Sequence, residues 1–173
     1  MYKALERGHN PALYYPERPL IRAETMPEPT FMDLAFEEAR AAGERGEVPI
    51  GCVVVSDGKV VARAGNRTLA DKDPTGHAEL LAIRLAAAAL GSERLTACDL
   101  YVTLEPCAMC AAAISFARIR RLYYGAVDVK GGAVESGVHF FASPTCHHKP
   151  EIYGGMGAVQ AGALLTDFFK ARR

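Results

Sequence analysis

Two rhythms of apolar positions alternate along the chain, and each change of rhythm marks an element. Phe31, Leu34 and Ala35 share one helical face, and Thr30 and Asp33 have capping-box spacing. A helix is therefore predicted to open after Thr30 and to close near Gly43 or Gly46. The runs IGCVVV and VVARAG flank Asp57 and Gly58, a pair suited to a hairpin turn. HAELLAIRLAAAALG returns to helical spacing and stops at Gly91. DLYVTL reads as a buried strand, CAMCAAAISFARI as a helix too apolar for a surface position, and RRLYYGAV as another strand. Strands and helices in alternation predict parallel pairing with helices covering the sheet. EIYGG suggests a short last strand. Residues 158–173 suggest a final helix carrying Leu164, Leu165, Phe168 and Phe169.

Two stretches keep neither rhythm. Residues 1–29 hold five prolines and read as an irregular extension ahead of a domain at 30–173, with Met26 an alternative start. Residues 127–150 are long and glycine-bearing, the kind of connection that is functional or disordered. There is no internal repeat.

Composition narrows the class. The chain has 173 residues, half of them hydrophobic and 23% charged, as expected of one soluble globular domain. No apolar run approaches the roughly 18 residues of a membrane span. The first residues carry charges and prolines where a secretory signal has an apolar core, so a cytoplasmic location is expected. Five cysteines, an odd count that includes a C-x-x-C pair, argue against a disulfide framework. The net charge of zero speaks against general nucleic-acid affinity and confines RNA contact to local patches. Two exist: Arg118, Arg120 and Arg121, and Lys170, Arg172 and Arg173.

Two short stretches carry candidate chemistry. In PTGHAEL, His77 and Glu79 stand two apart at the start of a predicted helix. In LEPCAMC, Cys107 and Cys110 share a helical face, and Pro106 suits a first turn. Thiols at a helix N-terminus favour the thiolate. Helices that follow parallel strands start at the same sheet edge, so His77, Cys107 and Cys110 can converge. Three protein ligands with an open position are typical of catalytic zinc, and four of structural zinc. Glu79 then fits as a partner of bound water. Residues two apart on a helix diverge by about 200°, so His77 has to sit at or before the first turn, with Thr75 as a cap. Taken singly, the residues have plainer readings: packing or redox chemistry for the cysteines, a surface or core position for His77, a helix-dipole partner for Glu79.

H-A-E followed by P-C-A-M-C is the signature of zinc nucleobase deaminases, tRNA adenosine deaminases among them. From Phe31 onward the chain resembles the bacterial tRNA adenosine deaminases of the cytidine deaminase-like superfamily. EVPIGCVVV, GNR, DPTGHAE, LYVTLEPCAMC, ARIRRLYYGA and DFFKARR carry the likeness. Residues 1–25 have no counterpart in it, and Gly76 stands where alanine is expected.

The resemblance implies a three-layer α/β/α fold around a central mixed sheet of about five strands. It implies Zn2+ on His77, Cys107 and Cys110, with Glu79 as the proton carrier. The implied reaction converts wobble adenosine to inosine in the anticodon stem-loop of an arginine tRNA, and the implied assembly is a homodimer using the CAMCAAAISFARI helix. Asn66 would hold the target nucleoside, although a turn residue ending the hairpin is an equal reading without the resemblance. Asp128 would lie near the RNA backbone, where a solvated loop charge is the plainer reading. From the residues themselves, three cations beside an aromatic, the helix end with Phe169, Lys170, Arg172 and Arg173 is expected to contact the anticodon loop, the alternative being a solvated helix end. Of Phe168 and Phe169, one is expected to face the core. Cys146, His147 and His148 could form a second metal site, but a solvated loop fits better, and Arg120 and Arg121 read as an exposed strand start. Two rivals remain: a zinc deaminase of a free base or nucleotide such as guanine or cytosine, and a non-catalytic zinc module.

Overall fold

Thr30 opens the first helix through the expected box. Its hydroxyl accepts the Asp33 N–H at 3.2 Å, and the Asp33 carboxylate accepts the Thr30 N–H at 2.9 Å. The fold is a computed structural model described for residues 28–172; most of the predicted N-terminal extension and Arg173 lie outside the described residues. Helix α1 (Phe31–Glu44) is followed by the hairpin β1 (Gly51–Ser56) and β2 (Lys59–Gly65), then α2 (Ala78–Leu90) and β3 (Cys98–Leu104). Next come α3 (Ala108–Phe116), β4 (Arg121–Ala126), a 3-10 turn at Phe140–Ala142, β5 (Glu151–Tyr153) and α4 (Ala158–Lys170).

The five strands form one sheet in the order β2-β1-β3-β4-β5. The sheet is mixed, as the resemblance implies: β1 is antiparallel to both β2 and β3, and the parallel pairing expected of alternating strands and helices forms among β3, β4 and β5. The tight Asp57–Gly58 turn forces the first reversal, since adjacent strands joined by a hairpin must run antiparallel. Because β1 opposes both neighbours, β2 and β3 point the same way across it. Helices α2 and α3, which follow those two strands, therefore start at one edge of the sheet.

Strand β1 shows why three layers form. Its residues are nearly all buried, as a central strand covered on both faces requires. Cys52 and Val54 pack with Ala78, Ala82, Ala111 and Ile114 of α2 and α3. Val53 and Val55 pack with Met32, Ala35 and Phe36 of α1 and Ala161 of α4. Alternate side chains thus build two cores from one strand. Gly51 and Gly65 are paired across the hairpin, and a Cβ on either would overlap the backbone of α1. Their bare backbone lets that helix lie directly on the sheet.

Helix α3 is not buried all round. Cys110, Ala111, Ile114 and Ser115 are buried, while Ala108 and Phe116 are exposed, the latter by 67%. It covers one sheet face as an outer layer, so one apolar face remains uncovered in the single chain. Helix α4 buries only Ala161, and Phe168 is half-buried rather than a core residue. Among the described residues, no helix is long and apolar enough to cross a membrane.

Candidate active site

His77 is the N-cap of α2, with extended backbone at φ −77° and ψ 148°, and Glu79 follows inside the first turn. The helical divergence of residues two apart is avoided because His77 stands just outside the helix. Thr75 is not the cap; its hydroxyl donates to Asp73 Oδ1 at 2.7 Å. Asn66 does the capping from a distance, its Oδ1 accepting the Ala78 N–H at 2.9 Å. Asn66 is buried at the end of the hairpin, and its own N–H donates to the Ile50 carbonyl at 3.0 Å. A backbone N–H can only donate, so the Ala78 bond fixes which amide atom of Asn66 is the oxygen and leaves Nδ2 for another acceptor.

Cys107 is the N-cap of α3, and Cys110 lies one turn further on. The Cys107 and Cys110 sulfurs lie 3.7 and 3.6 Å from His77 Nδ1. The three donor atoms lie within 4.8 Å of one another. Tetrahedral zinc with ordinary Zn–S and Zn–N bonds separates sulfur from nitrogen by about 3.6 Å. The donor set and both sulfur–nitrogen spacings therefore fit zinc. Among the described residues, no fourth His, Cys, Asp or Glu joins this group.

The electrostatics suit a metal-thiolate centre. The Cys110 thiol, followed by the His77 ring, lowers the Cys107 pKa to about 4. Cys110 is pushed far up, first by its hydrogen bond to Cys107 and then by burial. Contact with Cys107 raises His77 above its ordinary value. Glu79 is buried, and desolvation, with Cys107 charge adding to it, lifts its carboxyl above the usual range.

Of the other predicted residues, Asp128, Phe169 and Arg172 line one groove of about 830 Å³, together with Ile50, Lys130 and Leu165. None of His77, Glu79, Cys107 or Cys110 lines it. It lies beside the site, because Ile50 bonds Asn66 and Leu104 leads through Glu105 and Pro106 into Cys107. The Arg172 guanidinium stacks 3.6 Å from the Phe168 ring centroid, and Phe169 is 49% exposed. Lys170 is exposed and does not line the groove.

The remaining candidates are structural in the single chain. His148 Nε2 meets the Ile119 carbonyl at 2.7 Å, and the Cys146 sulfur lies 3.5 Å from Ser115 Oγ. Cys146 and His148 thus pack on the end of α3, while His147 is exposed. Arg120 makes a two-pronged contact with Asp99 at 2.8 and 2.9 Å. Arg121 bonds Glu151 at 3.1 Å. Both lie at the start of β4, the edge opposite the metal cluster.

Sequence reasoning missed two carboxylates. Glu47, buried after α1, accepts from Leu69 N–H at 3.0 Å, Ala70 N–H at 2.8 Å and Thr68 Oγ1 at 3.1 Å, holding the loop that leads to His77. Glu105 does the same for the loop after β4. No local pattern marks either residue; only glutamates ahead of long polar loops could have drawn attention.

The cytidine and deoxycytidylate deaminase zinc-binding region matches residues 26–126, which contain all four central side chains. A tRNA-specific adenosine deaminase of Agrobacterium fabrum is 64% identical over 143 residues, covering 83% of this chain and 94% of that protein. A structure solved in work on A-to-I editing by tRNA:A34 deaminases at the wobble position is 66% identical, with TM-score 0.77, covering 78% of this chain and 98% of that one. A guanine deaminase of Bacillus subtilis is 32% identical, with TM-score 0.57, covering 85% of this chain and 94% of its own. The fold and the site define a zinc-dependent deaminase of the cytidine deaminase-like class. Within that class, the chain belongs to the tRNA-specific adenosine deaminase family.

Proposed function

We propose that this protein hydrolyses the wobble adenosine of a tRNA anticodon, in an arginine tRNA, to inosine. The observation that carries the reading is a three-ligand cluster at zinc spacing with a buried glutamate at the same helix start. His77, Cys107 and Cys110 would hold zinc, which would supply a water whose pKa is brought near neutrality. Glu79 takes that water's proton as the oxygen bonds to C6 of adenine, and delivers it to the ring nitrogen. A second proton passes through Glu79 to the amino group as the C–N bond breaks and ammonia leaves. Asn66 holds the nucleoside through Nδ2, its Oδ1 being committed to α2.

The 64% identity to a tRNA-specific enzyme supports an RNA substrate. So does the groove holding Phe169, Asp128 and Arg172, which suits a splayed single strand with an aromatic for stacking and a cation for phosphate. Lys170 serves as a second phosphate contact at the helix end. The uncovered face of α3, with Phe116 and Ala108, supports a homodimer through that helix. A substrate of this kind supports a cytoplasmic location. The 32% likeness to a guanine deaminase favours one second reading, turnover of a free base. Incubation with an anticodon hairpin carrying a wobble adenosine, and separately with free guanine, adenine and cytosine, tests both. Inosine in the hairpin is the expected product; turnover of a free base alone would replace the reading.

A further inference from the structure

Glu105 stands two residues before Cys107, and its side chain is buried. One stretch of loop gives its carboxylate five hydrogen bonds. Oε1 accepts from the N–H groups of Val134, Glu135 and Ser136 at 3.0, 2.8 and 2.8 Å. Oε2 accepts from Asp128 N–H and Ser136 Oγ, both at 2.9 Å. The same loop pairs back onto the turn that carries Cys107. Ala133 N–H donates to the Pro106 carbonyl at 2.9 Å, and Gly132 forms an isolated antiparallel bridge with Cys107. Between these anchors, Asp128, Lys130 and Gly131 form one wall of the 830 Å³ groove. A single carboxylate therefore ties the wall of the groove to the turn bearing a metal-binding cysteine.

We propose that Glu105 is a positioning residue for the reaction, setting the groove wall at 128–131 in register with Cys107 so that a strand in the groove presents its base to Glu79. This rests on the tRNA reading above. Glu105 does not touch the base and acts through the loop. The device depends on charge: only a carboxylate accepts at both oxygens, whereas an amide turns donors toward one set of partners. Glu105→Gln keeps the size and must release either Asp128 N–H or the cluster at 134–136.

The test uses zinc-loaded Glu105→Gln, assayed far below its melting temperature. The expected result is unchanged zinc stoichiometry, a KM for the anticodon hairpin raised about tenfold, and kcat within about threefold of the parent. Amide exchange at Asp128 or at Val134–Ser136 should quicken by about a hundredfold, with the β1 amides unchanged. Parental KM and parental loop exchange, with only the melting temperature lowered, would overturn the proposal. If the Gln variant does not fold, Ser136→Ala removes one donor. It should raise KM by about threefold at parental zinc content, and an unchanged KM counts against the proposal. Should the parent leave the hairpin untouched, the tRNA reading fails, and loop exchange in the variant alone decides whether Glu105 holds the wall.

Discussion

Glu79 and Glu105 are both buried glutamates, one standing two residues after His77 and the other two residues before Cys107. Desolvation pushes both carboxyls up, yet they end on opposite sides of the ordinary value. At Glu105, desolvation is outweighed by the donors of Ser136, Asp128 and Glu135, and the carboxyl titrates below its usual range. At Glu79, its own N–H and the Cys110 thiol are too few to offset burial, and the carboxyl stays above. Donor supply, together with the deeper burial of Glu79, separates a carboxylate held in its charged form from one whose neutral form is favoured. Glu47 belongs with Glu105: burial opposes its charge, and the Ala70 and Leu69 amides with the Thr68 hydroxyl more than restore it.

If the two carboxylates do different work, replacing them should fail in different ways. The largest effect is expected at Glu79. Glu79→Gln should lower kcat by about a hundredfold to ten-thousandfold, the range for a general acid–base group, at parental zinc content and melting temperature. A variant retaining a tenth of the activity would remove the proton-carrying role and the contrast with it.

Glu105→Ala should instead act on stability. Four N–H groups and a hydroxyl would lose their acceptor, a cost of about 3–5 kcal/mol for a buried charged partner. At roughly 2–4 °C per kcal/mol, the melting temperature should fall by about 10 °C. Glu47→Ala should cost somewhat less, about 2–3 kcal/mol, since three donors are released. Calorimetry of both variants beside Glu79→Gln makes the comparison direct, and three equal melting temperatures would dissolve it.

Acid sharpens it further. Glu105 is lowered in the folded state, so its stabilisation is complete above the unfolded carboxylate pKa of about 4.3 and is lost as pH falls through the folded value. The stability gap between the parent and Glu105→Gln should therefore be widest near neutrality and shrink below about pH 4. Denaturant titrations across that range read the gap; a constant difference would mean that shape, not charge, holds the loop.

The smallest expected effect lies at the end of α4, beside and in the groove. Lys170→Ala with Arg172→Ala should flatten the salt dependence of hairpin affinity by about 0.7 for each phosphate left without its cation. Zinc content should not change. Arg172 also covers the Phe168 ring, so a modest loss of stability accompanies its removal. An unchanged salt slope would return these cations to the helix end.

Much of the site was legible because its signals are short-range. The Thr30 box and the C-x-x-C pair are local spacings, and each element behaves as its own residues dictate. The hairpin was readable for the same reason. Its consequence for the sheet was not, because the direction of β3 beside β1 is set by packing over dozens of residues. The apolar pattern of α3 suggested burial on all sides, but apolarity does not say whether a face is covered by this chain or left open.

Sequence alone determined which chemical groups are available, how they are spaced, and that helices would begin at both clusters, since capping, periodicity and ligand chemistry act over a few residues. Tertiary structure decided which groups meet. It placed β2 and β3 in one direction across β1, brought the Asn66 amide to the N-terminus of α2, and aimed loop amides at Glu105 from more than twenty residues away. Those contacts join segments that are neighbours only after the sheet has formed. Those contacts also hold the Glu105 carboxyl below its usual range while deeper burial lifts that of Glu79, a difference that neither residue's place in the sequence records.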